Sequence, residues 1–151
     1  MSNNESPSFS MALARIAVGV IFLFFAQFKL FHRDFTHGYY QQSVTTYVQQ
    51  SSVAFYRPIL RMTLWHPVIS GYAVGVAEAL IGLSMVLGFW VRPFSIVGAL
   101  FMLNLVFSTW RLPPGTAAWM YVANQLPHIP LLLLFAVFFA HNAGETLGLD
   151  K

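Results

Sequence analysis

The chain has 151 residues, enough for one domain, and its composition is that of a membrane protein. Hydrophobic residues make up 57% of it and charged residues only 9%, whereas a soluble domain carries about 25% charged residues. The net charge of +3 comes without a basic run, so no nucleic-acid partner is indicated, and the lack of cysteine excludes disulfides, Cys-ligated metal centres and covalently attached haem.

Four apolar segments are long enough to cross a bilayer, and they predict four transmembrane helices. The first follows a polar tail, residues 1–10, that has no basic leader or cleavage site, so we expect a retained span and not a signal peptide. The predicted spans are residues 11–31, 68–90, 94–110 and 119–140. We therefore expect an all-α integral membrane protein, a four-helix bundle in the lipid bilayer.

A long connection of mixed polarity joins spans 1 and 2. Its apolar side chains recur at helical spacing across residues 35–65, with Gln, Ser and Thr opposite them: Phe35, Tyr39, Val44, Tyr47, Val48, Phe55, Ile59 and Met62. This pattern predicts one or two amphipathic helices lying at the membrane surface.

Proline-containing dipeptides predict the boundaries of these elements, because the residue before proline avoids the α-helical region. Arg57-Pro58 and His66-Pro67 mark helix ends in the connection. Arg92-Pro93 predicts the turn between spans 2 and 3, and Pro113-Pro114 predicts the break before span 4.

One carboxylate, Glu78, lies near the middle of span 2. A charge at that depth costs about 2.5–3.5 kcal/mol, and such residues usually face protein or a water-filled cavity. Gly71, Gly75, Glu78 and Gly82 follow one another at steps of four, three and four, so they share one helical face. Small residues at that spacing allow close approach of another helix, and we expect Glu78 to point into the bundle.

Several other polar groups fall at comparable depths when residues are counted from the span ends at about 1.5 Å each. Glu78, His128 and Asn104 lie within one or two turns of each other, Gln27, Asn124 and Lys29 form a layer nearer the long connection, and Arg15 lies toward the opposite face. The spacing predicts a polar pocket between the spans, with Glu78 and His128 as its titratable groups.

Span 4 contributes two prolines beside His128. Pro127 and Pro130 lack backbone donors and would free the carbonyls of Ala123 and Leu126. A pocket with a carboxylate, an imidazole and amides could hydrogen-bond a quinone carbonyl and relay its protons. The alternative is a structural network that holds the bundle together, with Arg15 or Lys29 as the ionic partner of Glu78.

The sequence argues against haem and metal sites. His128 is the only clearly intramembrane histidine, so a bis-histidine haem within this chain is not expected. Neither HExxH nor a paired carboxylate–histidine spacing occurs, so no metal site is predicted.

The order and spacing of the polar and small residues resemble the DoxX family of small four-helix membrane proteins. The resemblance rests on Arg15 and Gly19, Lys29-Leu30, Glu78 with Gly82, Leu87-Gly88, Arg92, Gly144 and Leu149-Asp150. It implies that Arg15, Lys29, Glu78 and Arg92 are recurring polar positions. The connection before Glu78 is longer than is usual in the family, and the tail reads Leu147-Gly148-Leu149-Asp150 where Ser-Leu-Asp is common.

The resemblance also implies a role near quinone redox chemistry, because family members occur as small subunits of quinone-linked oxidoreductases and as membrane anchors for soluble redox enzymes. We therefore expect an accessory or anchor subunit of a membrane redox complex, in the bacterial inner membrane, with other subunits as partners. Glu78 and His128 are the expected proton or quinone contacts, and Arg15, Lys29, Asn104 and Asn124 would surround the quinone. A purely structural subunit and a small transporter or chaperone are the alternatives.

Overall fold

The computed structural model describes residues 9–111 and 115–150, and every regular element in them is helical, which confirms the predicted all-α class. The α-helices in these residues are α1 (Phe9–Phe31), α2 (Tyr40–Gln50), α3 (Arg57–Thr63), α4 (Pro67–Leu87), α5 (Val91–Thr109), α6 (Ala118–Asn124) and α7 (Ile129–Ala140). A π-helical turn (Phe35–Tyr39) leads into α2, and a 3-10 turn (Ala54–Tyr56) leads into α3. Most of the predicted tail, and Pro113-Pro114, lie outside the described residues.

Three helices are long and apolar enough to cross a membrane: α1, α4 and α5. The fourth predicted span differs from the expectation of one helix over residues 119–140. It consists of α6 and α7, which are bent by 65° at the break between them. The described chain therefore has three candidate spans, or four if the bent pair crosses as one unit.

The turn between α4 and α5 lies earlier than predicted. Gly88, at φ 64°, caps the end of α4 in the left-handed conformation, and its N–H donates to the Ser84 carbonyl at 2.9 Å. Glycine adopts this conformation without steric cost, which is why helices often end on it. Arg92 and Pro93, predicted to form the turn, belong instead to the first turn of α5, where a proline needs no donor.

The α1–α4 pair packs through the small-residue face of α4, as predicted from its spacing. Gly71, Gly75, Glu78 and Gly82 are all buried. A Cβ atom built on Gly82 would lie 2.9 Å from the Gly19 carbonyl oxygen of α1. The two backbones approach too closely for side chains there, and this approach fixes the depth of Glu78 relative to α1.

The central core joins these helices to α5 and α7. Phe22 of α1 meets Phe135 of α7 edge-to-face, with ring centroids 5.4 Å apart, and Phe135 is fully buried. Large apolar side chains also cover the outside of the spans, including Phe24, Leu100 and Leu133. Since these side chains face away from the protein, they form the surface that lipid would contact.

The long connection is helical as predicted, and its inner side packs against the bundle. Tyr40, Val44 and Leu60 form a second, smaller core, and Val74 of α4 packs against it. The other half of the predicted apolar stripe, including Phe55 and Met62, is exposed. The connection therefore divides its apolar residues between the protein interior and an outer face.

The residues after α7 fold back onto the α4–α5 turn. The backbone N–H groups of Leu149 and Asp150 donate to the Gly88 carbonyl at 2.8 and 2.9 Å. The Asp150 carboxylate accepts from the N–H groups of Trp90 and Val91 at 2.6 and 2.8 Å. A carboxylate at the start of α5 also interacts favourably with the helix dipole, so Leu149 and Asp150 are tied to the turn between α4 and α5.

Candidate functional site

The centre of the site is an ion pair between Lys29 of α1 and Glu78 of α4. The Lys29 ammonium donates a short hydrogen bond to Glu78 Oε1. The Glu78 side chain is 6% exposed and that of Lys29 is 18% exposed. Of the two basic partners left open by the sequence, the structure selects Lys29.

The second carboxylate oxygen of Glu78 takes no part in the ion pair. Oε2 is buried and has no hydrogen-bond partner among the described residues. Leaving a charged acceptor unsatisfied in the interior costs more than about 1–3 kcal/mol. This oxygen is therefore available to a ligand, a proton or water.

A cavity of about 220 Å³ adjoins the ion pair. We call it the Glu78 cavity. Its lining combines three ionisable side chains with apolar walls and one proline: Lys29, Glu78 and His128 with Ile21, Phe22, Phe25, Met102, Leu105, Leu131 and Pro127. Ile21 and Phe25 are 43% and 52% exposed on the outside of α1, so this side of the cavity adjoins the lipid-facing surface.

His128 reaches this cavity because the chain breaks between α6 and α7. It is the N-cap residue of α7, and Pro130 occupies the first turn of that helix. The prediction that the prolines free backbone carbonyls is wrong at Ala123, whose oxygen accepts from the N–H of Leu126 at 3.2 Å. The break is therefore a hydrogen-bonded turn, and it places His128 at the Glu78 cavity.

Gln125, which the sequence analysis missed, contacts the site residue His128 without itself lining the Glu78 cavity. It is 1% exposed, donates to Thr109 Oγ1 at 3.2 Å and lies 3.3 Å from His128 Nδ1. Its neighbour Asn124, predicted to surround the ligand, is exposed and does not line the Glu78 cavity. The spacing of three between Gln125 and His128 could have indicated their contact, since residues three apart are neighbours on one helical face.

Asn104 lies at the predicted depth but in a different cavity. Its side-chain oxygen accepts a short hydrogen bond from the Tyr56 hydroxyl. Burial, helped by nearby Tyr40, raises the pKa of Tyr56, so this hydroxyl keeps the proton that it donates. The predicted single pocket of Glu78, His128 and Asn104 is thus two cavities, and Asn104 belongs to the second.

Arg15 does not reach the site. It is completely buried near the start of α1, and its guanidinium donates to the carbonyls of Leu147 and Thr146 at 2.9 and 3.4 Å. The negative charge of Asp150 acts favourably on it. The structure does not bring Arg15 together with Glu78: Arg15 lines neither the Glu78 cavity nor the cavity of Asn104, and it anchors the folded-back tail.

No group of three or more His, Asp or Glu side chains that could hold a metal ion occurs among residues 9–111 and 115–150. The ionisable groups that do meet are a carboxylate, an ammonium and an imidazole. Together they offer hydrogen-bond donors and acceptors and can exchange protons. Apolar walls around a few convergent polar groups are typical of small-molecule sites.

Apolar spans, a buried charge pair and a cavity beside it define an α-helical integral membrane protein with an internal polar site. The family model described as DoxX matches residues 10–111 of this chain. The chain belongs to the DoxX family. No curated protein and no solved structure matched it.

The matched region contains α1 to α5, and therefore both members of the Lys29–Glu78 pair. His128 and Gln125 lie beyond it, as does the tail that anchors Arg15. The family match therefore covers the charge pair and one side of the cavity, and the bent α6–α7 pair completes the other side.

Proposed function

We propose that this chain is a small accessory subunit of a quinone-linked redox complex in the bacterial inner membrane, and that it binds the quinone head group in the Glu78 cavity. The single observation that supports this most is the unpartnered Glu78 Oε2 beside a cavity that adjoins the lipid-facing surface. A ligand that partitions into lipid can approach the polar groups from that side.

The size and chemistry of the cavity favour a small polar ring on an apolar tail. Drug-sized ligands occupy pockets of about 300–1,000 Å³, so 220 Å³ accommodates a head group and leaves the tail in lipid. The Lys29 ammonium and the His128 ring can donate to quinone carbonyls, and the Glu78 carboxylate can accept from a quinol hydroxyl. Phe25 and Leu131 provide the apolar walls.

In this proposal the chain contributes binding and proton exchange, and partner subunits contribute the redox centres. Reduction of a quinone takes up two electrons and two protons. Glu78 and His128 would each hold one such proton, while the electrons would come from the partner. Isolation of the native complex followed by mass spectrometry of its subunits would test whether such a partner exists.

The binding site itself is tested with the purified protein in lipid nanodiscs and a benzoquinone that carries a ten-carbon tail. Hydrogen bonds to charged groups contribute about 1.5–3 kcal/mol, so we expect Glu78→Gln to weaken binding about tenfold or more, as measured by titration calorimetry. Asp34→Asn makes the same chemical change at an exposed acid of the long connection and should leave the dissociation constant unchanged.

A second variant keeps the ion pair and fills the cavity. Leu131→Phe enlarges a residue that lines the Glu78 cavity, and Leu133→Phe makes the same change on the outer face of α7, where Leu133 is 60% exposed. We expect only Leu131→Phe to reduce binding. Equal affinity of all four variants and the unmodified chain would overturn the proposed quinone site.

One observation favours a purely structural subunit as the second candidate. Large apolar side chains remain exposed around α3: Phe55, Ile59, Met62 and Trp65. If this outer face docks a larger complex and the cavity binds nothing, Met62→Glu should release the chain from its native complex while Glu78→Gln leaves turnover of that complex unchanged.

A further inference from the structure

A second cavity, of about 250 Å³, lies on the side of Lys29 that faces the long connection. We call it the vestibule. It lies between the connection and the α4 and α5 helices, and its polar lining comes from both: Tyr40, Ser43, Tyr47, Thr63, Asn104 and Ser108. Hydroxyl and amide groups therefore reach a space directly beside Lys29, and its other walls are apolar: Phe35, Val44, Leu60, Val74, Phe101 and Leu105.

Lys29 and Leu105 line both the vestibule and the Glu78 cavity, so these two side chains separate them. The Lys29 ammonium lies 5.9 Å from the ring centre of Phe25, which lines the Glu78 cavity, and 5.5 Å from that of Phe35, which lines the vestibule. The cation is thus held between one aromatic ring of each cavity while it pairs with Glu78.

The vestibule has the size and polarity that water needs. A water molecule takes about 30 Å³ of liquid volume and requires two to four polar partners, so several waters fit in this space. The Ser108 and Thr63 hydroxyls donate to the carbonyls of Asn104 and Leu60, and each oxygen keeps lone pairs that can accept from water. The remaining walls of the vestibule are apolar, as are most walls of the Glu78 cavity.

We propose that the vestibule is a water-filled entry for protons to Glu78 from the side of the long connection, with Lys29 as the partition at its inner end. Glu78 does not line the vestibule, so the proton passes by way of Lys29, whose ammonium donates to Glu78 Oε1. The ammonium transfers one proton to the carboxylate and takes up another from the water, so the pair goes from a net charge of zero to +1. The other titratable groups that face these cavities are Tyr40, Tyr47 and His128.

This proposal rests on the proposed function only for the reaction that consumes the proton. Whether the vestibule contains water can be measured without any quinone. The chain has no cysteine, so single cysteines report on water alone. Ser108→Cys places a thiol in the vestibule. Ser95→Cys is its matched control, because both serines are buried in α5 and donate to the carbonyl four residues earlier, while Ser95 lines neither cavity.

The probe is Ag⁺, added to the protein in liposomes without quinone, and the remaining thiol is counted with a fluorescent maleimide after denaturation. Only a thiolate reacts, and dry apolar surroundings raise a thiol pKa, each unit of which lowers the thiolate fraction about tenfold. We expect Ser108→Cys to react at least about tenfold faster than Ser95→Cys. Equal rates would overturn the wet vestibule, whatever the quinone measurements give.

The partition is tested by a thiol on its far side. Leu131→Cys lines the Glu78 cavity and should react slowly in the otherwise unmodified chain. Adding Lys29→Ala removes the partition. Glu78→Gln is added in the same chain because Glu78 would otherwise be a buried charge without a partner, which would prevent folding. We expect the triple variant to react about tenfold faster. If Leu131→Cys reacts equally in both backgrounds, Lys29 does not separate the cavities.

Discussion

The two carboxylate oxygens of Glu78 have different surroundings. Oε1 is taken by the Lys29 ammonium, and Oε2 is buried without a partner among the described residues. The first contact joins α1 to α4 and is structural. The second oxygen is the one that the proposed quinone site would use.

The structural share of Glu78 is measurable as a coupling free energy. Removing one partner of a buried ion pair costs about 3–5 kcal/mol, whereas replacing both by apolar residues is often neutral. We expect Glu78→Met and Lys29→Met each to lower the midpoint of unfolding in nanodiscs. The double variant should lose less than the sum of the two single losses. Strict additivity would contradict a direct energetic link between the two charges.

Residue identity at the site was only partly predictable from sequence. Glu78 and His128 could be placed by depth, because helix rise is uniform along a span. The sequence could not show which of Asn124 and Gln125 is buried. They are adjacent, and a shift of one position along the chain near the break would bury the other amide. The partners of Arg15 could not be predicted, because the Thr146 and Leu147 carbonyls are distant backbone groups that carry no sequence signal.

The two adjacent amides, one buried and one exposed, provide a matched pair of positions for substitution. Gln125 is buried between Thr109 and His128, and Asn124 is exposed. A typical hydrogen bond contributes about 0.5–1.5 kcal/mol, so Gln125→Met should lower the unfolding free energy by about 1 kcal/mol, while Asn124→Met should not change it. Equal losses measured by thermal unfolding would show that Gln125 does not hold the break.

At the scale of elements, the close contact of α1 with α4 sets the geometry of the ion pair. A Cβ atom on Gly19 would lie 2.8 Å from both the Gly82 carbonyl oxygen and the Val86 backbone nitrogen. These are backbone atoms, so they cannot move aside without separating the helices. The glycine spacing in α4 was readable from the sequence, but its partner Gly19 was identified as a facing residue only in the structure.

We therefore expect Gly19→Ala to destabilise the protein by about 1–3 kcal/mol, the usual cost of overpacking, and to displace Lys29 from Glu78. Gly38→Ala is the control, since a Cβ atom there meets nothing within 4 Å. Denaturant unfolding of both variants in detergent measures the difference. An equal effect of both substitutions would contradict the close backbone contact.

The α6–α7 pair shows where span prediction from hydropathy fails. Hydropathy identified an apolar segment of sufficient length over residues 119–140, and the structure confirms apolar helices there. It could not give the 65° bend, because a proline permits a break without determining its angle. Here the break between α6 and α7 contains His128 and Gln125, so the departure from a straight span coincides with the site.

At the scale of the whole molecule, the Glu78 cavity and the vestibule meet at Lys29 and Leu105. The Glu78 cavity adjoins the lipid-facing side of α1, and the vestibule lies beneath the long connection. The connection between α1 and α4 contains α2 and forms one wall of the vestibule, and α4 and α5 form the other. The sequence indicated a polar layer, and only the packed helices divide that layer in two.

The position of a bound quinone tests this arrangement most directly. A photoreactive azidoquinone, irradiated with the protein in nanodiscs and mapped by mass spectrometry, should label cavity residues such as Phe25 and Leu131. Excess unlabelled quinone should suppress this labelling, and Glu78→Gln should reduce it. Labelling confined to outward-facing residues such as Phe24 and Leu133, insensitive to competitor and to Glu78→Gln, would contradict a quinone site beside Glu78.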